Sequence, residues 1–302
     1  MSIPPFDQPG KFWRGNLHTH STVSDGTHTP EEVCRLYQEA GYDFVSLTEH
    51  WMEMFGRPIL DTRELRTEHF TTLIGAELHG PQTEMGNVWH LVANGLPLDF
   101  RPNPDSTGPA LAQMAIDAGA FVSVAHPQWY TLTETDIQSL TSFDAIEVFN
   151  GVAVDHNDRP DSWHIADIFL SRGMRTNITA ADDFHGFTNA WDFQQGWVWV
   201  KSEELTPQAL LASLKAGRYY SSTGPMIHEV TLSATGKVTV RCSPAERVLV
   251  SGKGPAVVVA GGRGLRRVEI DLQKFDSPYA RVTVRDAYGR HAWTNPFWFD
   301  EL

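Results

Sequence analysis

The feature that most constrains this chain is a series of His, Asp and Glu residues, nearly all of which stand where a short apolar run gives way to polar residues. They are His18, His20, Asp25, His50, Glu77, His90, His126, Asp183 and His185. One such residue after one strand would mean little. The same placement after strand after strand predicts a ring of strands whose loops converge on a polynuclear metal site, and such a site favours hydrolytic chemistry.

The excess of acidic over basic residues argues against some classes of binding partner. The chain has 302 residues, with 24 Lys and Arg against 37 Asp and Glu, which gives a formal net charge of −13. A nucleic-acid groove usually needs a basic face, so we expect no nucleic-acid partner. No run approaches the ~18 apolar residues of a membrane span, and the start lacks the pattern of a signal peptide, so we expect no membrane partner.

The two cysteines, Cys34 and Cys242, stand far apart in the sequence. They form neither a disulfide framework nor a cysteine-rich zinc pattern. We therefore expect the protein in a reducing cytoplasm.

From residue 12 to about 225, short β-like runs alternate with helical patterns. Thr29 is a predicted helix N-cap, and Gly41 is well placed to end that helix. Strand-like runs lead directly into candidate ligands such as His50 and His126. Repeated βα units predict a mainly parallel sheet with chemistry at the carboxyl ends of the strands, so we expect an α/β barrel domain over residues 1–225.

The pattern changes after Gly224 and Pro225. Residues 226–302 contain short β-rich runs separated by Gly, Pro, Asp and Asn, with little helical periodicity. This composition predicts a small C-terminal antiparallel β-domain that packs on the first domain.

Two local patterns support the metal site. His18 and His20, on or just after a predicted strand, would have both imidazoles on one side of the sheet, because strand side chains alternate with period two. Glu77 stands between the apolar Ala76 and Leu78, where an unpaired carboxylate would be costly and a cation would remove that cost. The alternatives are an arginine partner for Glu77 and a pair of surface histidines at His18 and His20.

Two ligand assignments stay open from the residues alone. His79 competes with His90, which could instead be a satisfied core histidine. Asp182 competes with Asp183, although the Asp-x-His spacing favours Asp183.

Other polar residues are candidates for supporting roles. Glu147 and Asn150 flank a predicted strand end, and we expect them to support the ligands or to bind substrate. Arg14 and Arg159 could bind an anionic substrate, and an ordinary surface arginine is the alternative interpretation of each.

Several separate motifs occur in one order along residues 12 to 200. They are Asn16-Leu17-His18-Thr19-His20-Ser21 through Ser24-Asp25-Gly26, Leu47-Thr48-Glu49-His50, Gly75-Ala76-Glu77, Ala125-His126-Pro127 and Asp183-Phe184-His185. In this order they resemble the polymerase-and-histidinol-phosphatase (PHP) metal-dependent phosphoesterases. The later Gly217-Arg218-Tyr219-Tyr220 and Thr223-Gly224-Pro225 resemble the CehA/McbA-like subgroup named for carbaryl hydrolases, whose members also carry a small C-terminal β-domain.

The resemblance implies a distorted seven-stranded (β/α) barrel, PHP-like, that binds two or three divalent metal ions. The implied ligand sets are His18, His20, Glu77 and Asp183 for one ion; Glu77 as a bridge with His126 and His90 for a second; and Asp25, His50 and His185 for a third. Mixed nitrogen and oxygen ligands without thiolate suit zinc, manganese or iron. The chain departs from the family pattern at Glu49, where Thr-Asp-His is usual, and at Asp182, where a small residue is usual.

The expected activity is hydrolysis of a phosphoester in a small, anionic molecule. We hypothesise that two ions share a bridging hydroxide, because metal binding lowers the pKa of water. The residues expected to act in catalysis are Glu77, Asp183, His185 and His126, and either histidine could protonate the leaving group if ligation leaves it free. The same centre could instead hydrolyse a carbamate, ester or amide. A non-catalytic metal-binding interaction protein is the third alternative.

Overall fold

A long, continuous sheet carries most of the fold. Among the residues that the computed structural model describes, 3–187, 189 and 191–302, there are sixteen strands and six α-helices. The first ten strands are β1 (Lys11–Asn16), β2 (Phe44–Leu47), β3 (His50–Trp51), β4 (Thr71–Gly80), β5 (Trp89–Asn94), β6 (Phe121–Val124), β7 (Ala145–Asn150), β8 (Asn177–Ala181), β9 (Trp197–Ser202) and β10 (Tyr219–Ser222).

The remaining strands follow one another near the end of the chain, whereas the helices lie between the earlier strands. The later strands are β11 (Ile227–Leu232), β12 (Lys237–Ser251), β13 (Val257–Asp271), β14 (Tyr279–Arg285), β15 (His291–Thr294) and β16 (Phe297–Trp298). The helices are α1 (Pro30–Glu39), α2 (Gly108–Asp117), α3 (Glu134–Ser139), α4 (Val152–His156), α5 (Trp163–Ser171) and α6 (Pro207–Lys215). The predicted mixed α/β class is confirmed.

The first helix begins and ends where its sequence signals predict. The Thr29 hydroxyl accepts a hydrogen bond from the Glu32 backbone N–H, and the Glu32 carboxylate accepts one from the Thr29 backbone N–H. These two bonds satisfy donors that the first helical turn leaves unpaired. Gly41, with φ of 79°, lies just beyond the end of α1, in a conformation that glycine adopts without strain.

The strand order of the first part is β9-β1-β2-β4-β5-β6-β7-β8. The pairs β1–β2, β2–β4, β6–β7 and β7–β8 are parallel. However, β5 pairs antiparallel with both β4 and β6, and β9 pairs antiparallel with β1. The sheet is therefore more mixed than the predicted series of βα units, because a short connection of 81–88 returns the chain beside β4 instead of through a helix.

The two ends of this strand series approach each other near the candidate site. Thr19, just after β1, forms an isolated parallel bridge with Phe184, just after β8. The His20 backbone N–H donates to the Phe184 carbonyl at 2.8 Å. Within the described residues, β8 has ladder pairing with β7 alone, so closure into a seven-stranded barrel stays a prediction.

The sheet continues without a break into the C-terminal strands. β10 pairs antiparallel with β9 on one side and with β15 on the other, and β14, β12 and β11 follow in order. Trp293 on β15 lies in the same buried cluster as Leu91 and Val124 of the first part. The C-terminal region is antiparallel, while a domain boundary at residue 225 stays a prediction.

The hairpin of β12 and β13 is longer than the sequence predicts. Each strand has 15 residues, whereas the sequence suggested separate short runs divided by turn residues. The pairing register shifts between Arg241 and Ala245, and Pro244 lies inside this irregularity. A bulge accommodates the proline, which cannot donate to a ladder, so the strand bends and continues.

None of the helices that the described residues form has the length and apolarity that crossing a membrane requires.

Replacement of Gly15 by alanine should destabilise the strand that carries the first histidine motif. A Cβ at Gly15 would stand 2.1 Å from the buried Phe44 ring. We expect the free energy of unfolding of Gly15→Ala to fall by about 1–3 kcal/mol, since overpacking displaces a rigid ring. Urea unfolding measures this loss.

The matched control is Gly262→Ala. Its added Cβ would meet only the end of the Leu265 side chain, at 3.0 Å, and that flexible end can move. Equal stability losses for Gly15→Ala and Gly262→Ala would contradict the steric explanation.

Candidate metal centre

The first histidine motif and Asp183 meet just beyond the carboxyl ends of β1 and β8. His18 Nε2 lies 3.2 Å and His20 Nε2 lies 3.0 Å from Asp183 Oδ1. The same two nitrogens each lie 3.7 Å from a Glu77 carboxylate oxygen. All four side chains are buried. The first implied ligand set is therefore brought together in space.

Glu77 on β4 lies at the centre of the arrangement and is fully buried. Its Oε2 is 2.6 Å from His50 Nδ1 and 3.5 Å from His79 Nε2. Its Oε1 is 2.6 Å from His90 Nδ1 and 3.3 Å from His126 Nε2. Histidines surround both oxygens, so Glu77 occupies the position that a ligand shared between two ions would need.

A third group lies toward the mouth of the site. Asp25 Oδ2 is 3.4 Å from His50 Nε2, and Asp25 Oδ1 is 3.4 Å from His185 Nε2. The His20 ring stacks against the rings of both His50 and His185, with centroids 4.2 and 4.4 Å away. This group holds the third implied ligand set together with His20.

Within the described residues, five overlapping groups could each hold a metal ion, with ligand atoms no more than 4.8 Å apart. The groups are His20–Asp25–His50–His185, His18–His126–Asp183, His18–His20–Glu77, His50–Glu77–His79 and Glu77–His90–His126. They contain every candidate ligand predicted from the sequence, with His79 in addition.

Three of the candidate ligand atoms fit a cation because they are close to one another without being hydrogen-bonded. His18 Nε2, His20 Nε2 and Asp183 Oδ1 are buried, and no described group is aligned to form a hydrogen bond with them. Such groups are costly to bury unpaired. Ligand atoms that face one ion are expected to lie close together without hydrogen-bond geometry. A divalent cation would remove the cost of burying these atoms unpaired.

The pKa shifts of His20 and Glu77 suit metal binding. By contrast, against the effect of burial, Glu77 and Asp25 raise the pKa of His50 to about 10, so a metal ion would have to displace a proton there. Burial, followed by the neighbouring His50 and His185, lowers the pKa of His20 to about 3. Although burial alone would raise the pKa of Glu77, the surrounding histidines hold it well below its ordinary value. A neutral imidazole and an ionised carboxylate are the forms that bind a metal.

Two candidate ligands have a backbone conformation that is uncommon outside glycine. His126, which follows β6, has φ of 27°, and Asp183, which follows β8, has φ of 54°. Each such conformation costs on the order of 1–3 kcal/mol and persists only when neighbouring contacts hold it. The Asp183 backbone N–H donates to the His18 carbonyl at 3.0 Å, which ties the two ligand loops together.

Glu147 and Asn150 support the ligands. Glu147 Oε2 is 3.0 Å from His18 Nδ1. Asn150 Nδ2 donates to Glu147 Oε1 at 2.6 Å and to Asp183 Oδ2 at 3.1 Å. The buried amide of Asn150 is thus committed to orienting other side chains, and its predicted contact with substrate stays a prediction.

The two departures from the family pattern have structural explanations in this chain. The Glu49 carboxylate accepts hydrogen bonds from the Ser21 and Ser24 hydroxyls, both at 2.5 Å, so the longer side chain ties the ends of β2 and β1 together. Asp182 faces away from the metal cluster and accepts from the Tyr37 hydroxyl at 2.7 Å. Burial raises the pKa of Asp182 to about 6, although the Gly196 backbone N–H opposes this shift. Asp182 is therefore bound to Tyr37 and to backbone N–H groups, whereas Asp183 lies among the candidate metal ligands.

The two predicted substrate arginines lie outside the cluster. The Arg14 guanidinium stacks between Tyr42 and Trp197, at 3.9 and 3.8 Å from the ring centroids. It also donates to the Ala40 carbonyl. Arg159 is exposed. Neither arginine lines the cavity above the metal cluster, so their contact with substrate stays a prediction.

A cavity of about 500 Å³ opens above the candidate ligands. Much of its lining is apolar or aromatic, from Met52, Met54, Phe55, Trp129, Tyr130 and Phe187. The sequence interpretation missed these residues. Their signal was proximity along the chain, because Trp129 follows His126 by three positions and Phe187 follows His185 by two.

The structure explains why His79 and His90 compete. They are direct cross-strand partners on the antiparallel β4 and β5, so both side chains reach the same face. His90 lines the cavity, and its Nδ1 lies 3.0 Å from the Tyr130 hydroxyl. His79 instead packs toward His50, with 2.9 Å between His79 Nε2 and His50 Nδ1.

No protein-family model matches this chain, and no curated protein matches it. Solved structures, in contrast, do match this chain. A two-domain protein from Bacteroides vulgatus, described as containing a predicted PHP-like metal-dependent phosphoesterase, is 16% identical with a TM-score of 0.54, and the match covers 93% of each chain. At this identity the likeness shows a shared fold. The similarity to PHP proteins is therefore confirmed at the level of the fold, and the CehA/McbA-like subgroup stays a prediction.

Two further solved structures match a smaller part of the chain. A predicted metal-dependent phosphoesterase from Bifidobacterium adolescentis is 15% identical with a TM-score of 0.40, covering 61% of this chain and 90% of that one. An amidohydrolase from Chromobacterium violaceum, with bound sulfate and no metal, is 15% identical with a TM-score of 0.43, covering 58% of this chain and 89% of that one.

Glu147→Gln should weaken metal binding although Glu147 touches no proposed ion. The substitution keeps the size of the side chain but removes the charge beside His18 Nδ1. We expect metal affinity to fall by about 10–100-fold, as is usual when a partner of a ligand histidine is altered. Competition with a chromophoric chelator measures the affinity. The control is the exposed Glu64→Gln, and equal affinities for the two variants would contradict the role of Glu147.

His90→Ala should remove more bound metal than His79→Ala. His90 shares a candidate group with Glu77 and His126 and faces the cavity, whereas His79 lies behind His50. Elemental analysis of both purified variants gives the metal content per chain. Greater loss from His79→Ala would reverse the assignment.

Proposed function

We propose that the protein is a metal-dependent hydrolase whose centre holds two or three divalent ions, drawn from zinc, manganese and iron. The observation that carries this proposal is the set of overlapping ligand groups at the floor of a cavity of about 500 Å³, in which His18 Nε2, His20 Nε2 and Asp183 Oδ1 are buried and have no hydrogen-bond partner among the described residues. A polynuclear centre under an open cavity is the arrangement that metal-assisted hydrolysis uses.

The proposed ligands fall into three sets. They are His18, His20, Glu77 and Asp183; Glu77, His90 and His126; and Asp25, His50 and His185. Metal ions in such a centre would lower the pKa of water and neutralise charge on substrate oxygens. Glu77 would hold two ions at a fixed separation, and Glu147 would fix the orientation of the His18 ring through Nδ1.

Protonation of the leaving group needs a separate donor if His126 and His185 serve as ligands. The Tyr130 hydroxyl and the His156 imidazole also line the cavity. His156 stacks on Trp129, with 4.9 Å between ring centroids. These two side chains carry protons at the cavity wall without belonging to a proposed ligand set.

We propose a phosphoester in a small, anionic molecule as the first substrate class. The shared fold with a PHP-like protein and the number of ligand groups support this choice. Two or more ions can neutralise the phosphoryl oxygens, as occurs in two-metal phosphatases and nucleases.

Hydrolysis of a carbamate, ester or amide is the second candidate, and the cavity wall favours it. Among the described residues that line the cavity, none is a lysine or an arginine, and many are aromatic or methionine. Such a wall binds an uncharged apolar group well. The metal centre itself would serve either reaction.

Parallel assays with 1-naphthyl phosphate and a 1-naphthyl carbamate should separate the two candidates. Both release 1-naphthol, so a difference in rate reports the bond that is cleaved rather than the fit of the aromatic group. We expect metal-dependent release from the phosphate, with a loss of at least about 10³-fold in Asp183→Asn, since removal of a ligand abolishes the charge stabilisation that the centre supplies.

Faster release from the carbamate would favour the second candidate. Stoichiometric metal without turnover of phosphomonoesters, phosphodiesters or carbamates would overturn both proposals and favour a metal-binding interaction protein.

A further inference from the structure

A second large depression lies on the opposite side of α4 from the metal cavity. It has a volume of about 910 Å³, and its wall includes Trp163, Arg281, Arg285, Tyr288, Arg290 and Trp293. We call it the arginine groove. It is formed where β14, β15 and the loop between them meet the segment that follows β7.

Stacked aromatic rings form one wall of the arginine groove. The His291 and Trp293 rings are nearly parallel, with an interplanar angle of 6° and 5.4 Å between centroids. Trp163 lies 5.9 Å from Trp293. Tyr288, at the rim, is 84% exposed, and the Arg290 guanidinium lies 5.2 Å from the centroid of its ring.

Three guanidinium groups border the same space. Arg281 pairs with Asp167 and stacks 3.9 Å above the Trp163 ring. Arg290 pairs with Asp286 at 2.8 Å, and its side chain is still 52% exposed. Arg285 is exposed and forms no ion pair with any described residue.

Arg281 and Arg290 are each already paired with an aspartate, so Arg285 supplies the positive charge of the groove that no ion pair with a described residue offsets. The protein has a formal net charge of −13, yet Asp161 is the one acidic residue among the described residues that line the groove. The metal cavity shows the reverse, with carboxylates and no lysine or arginine among its described lining residues. The two depressions are therefore suited to different ligands.

Arg290 also lies close to the backbone at Gly224. A Cβ on Gly224 would stand 2.6 Å from Arg290 Nε. Gly224 belongs to the Thr223-Gly224-Pro225 motif, and Thr223 lines the groove. The absence of a side chain at this position thus allows the guanidinium to lie against the backbone at the edge of the groove.

We propose that the arginine groove binds a flat aromatic molecule that carries a phosphate, sulfonate or carboxylate group. Guanidinium groups recognise such anions with charge-assisted hydrogen bonds and stack on aromatic planes. The neighbouring tryptophan, histidine and tyrosine rings supply faces for the aromatic part. A volume of about 910 Å³ is enough for a ligand of nucleotide size.

The groove and the metal cavity share a wall. Val152 and His156 of α4 line the metal cavity, whereas Val154 lines the groove. Gln195, also at the groove, donates its backbone N–H to Asp182, the neighbour of the proposed ligand Asp183. A ligand in the groove would therefore contact the elements that hold the metal site.

Calorimetric titration with naphthalene-2-sulfonate tests the proposal, because this probe is aromatic and anionic and contains no bond for the metal centre to hydrolyse. We expect saturable binding to the full chain and a loss of about tenfold or more in affinity for Arg285→Gln, the magnitude of one charge-assisted hydrogen bond. The matched control is Arg263→Gln, an exposed arginine on β13 outside the groove, which should bind the probe as the unaltered protein does.

Two further variants locate the probe. Tyr288→Ala should weaken binding, since it removes the exposed ring at the rim of the groove, whereas Trp129→Ala alters the metal cavity alone and should leave binding unchanged. No saturable binding, equal weakening by Arg285→Gln and Arg263→Gln, or loss in Trp129→Ala with none in Arg285→Gln would each overturn the proposal. These outcomes do not depend on whether the metal centre is a hydrolase.

Discussion

The rest of the site depends on the burial of one carboxylate. Glu77 is fully buried on β4, and its oxygens face His50, His79, His90 and His126. An isolated buried carboxylate is costly, and removal of a partner leaves an uncompensated charge. The histidines offset this cost unequally, because burial lowers the pKa of His20 and His90, whereas Glu77, against the effect of burial, raises the pKa of His50 to about 10. A divalent cation balances the charge without protonating the ligands, so the same contacts favour both folding and metal binding.

The sheet brings the other ligands to Glu77, and part of the stability of the fold is used for this purpose. His126 and Asp183 leave their strands with positive φ. Their positions are held by nearby backbone bonds, such as the Trp129 N–H to the His126 carbonyl at 2.9 Å. A strained residue two positions beyond the end of a strand turns its side chain out of the ladder and toward the other ligands. The strain therefore has a geometric explanation at both ligand positions.

How much of this could be predicted from the sequence depends on whether the information is local. The spacing of His18 and His20 predicts from the sequence alone that the two side chains share one side, and they do meet, with 5.3 Å between ring centroids, although β1 ends before them at Asn16. The choice between His79 and His90 is not local, because it depends on the antiparallel register that makes them direct partners. The environment of Arg14 is also non-local, since Tyr42 and Trp197 come from separate parts of the chain. The continuous β12–β13 hairpin was missed because a bulge accommodates Pro244 within a strand.

The two depressions would recognise negative charge by different physical means. The metal cavity has no lysine or arginine among its described lining residues, so affinity for an anionic substrate there would have to come from bound cations. An uncharged substrate could bind the aromatic wall without them. In the arginine groove the positive charge is covalent and permanent, since guanidinium groups stay protonated. Anion binding in the groove would therefore survive metal removal, whereas anion binding in the metal cavity would not. This difference follows from where the chain places its arginines.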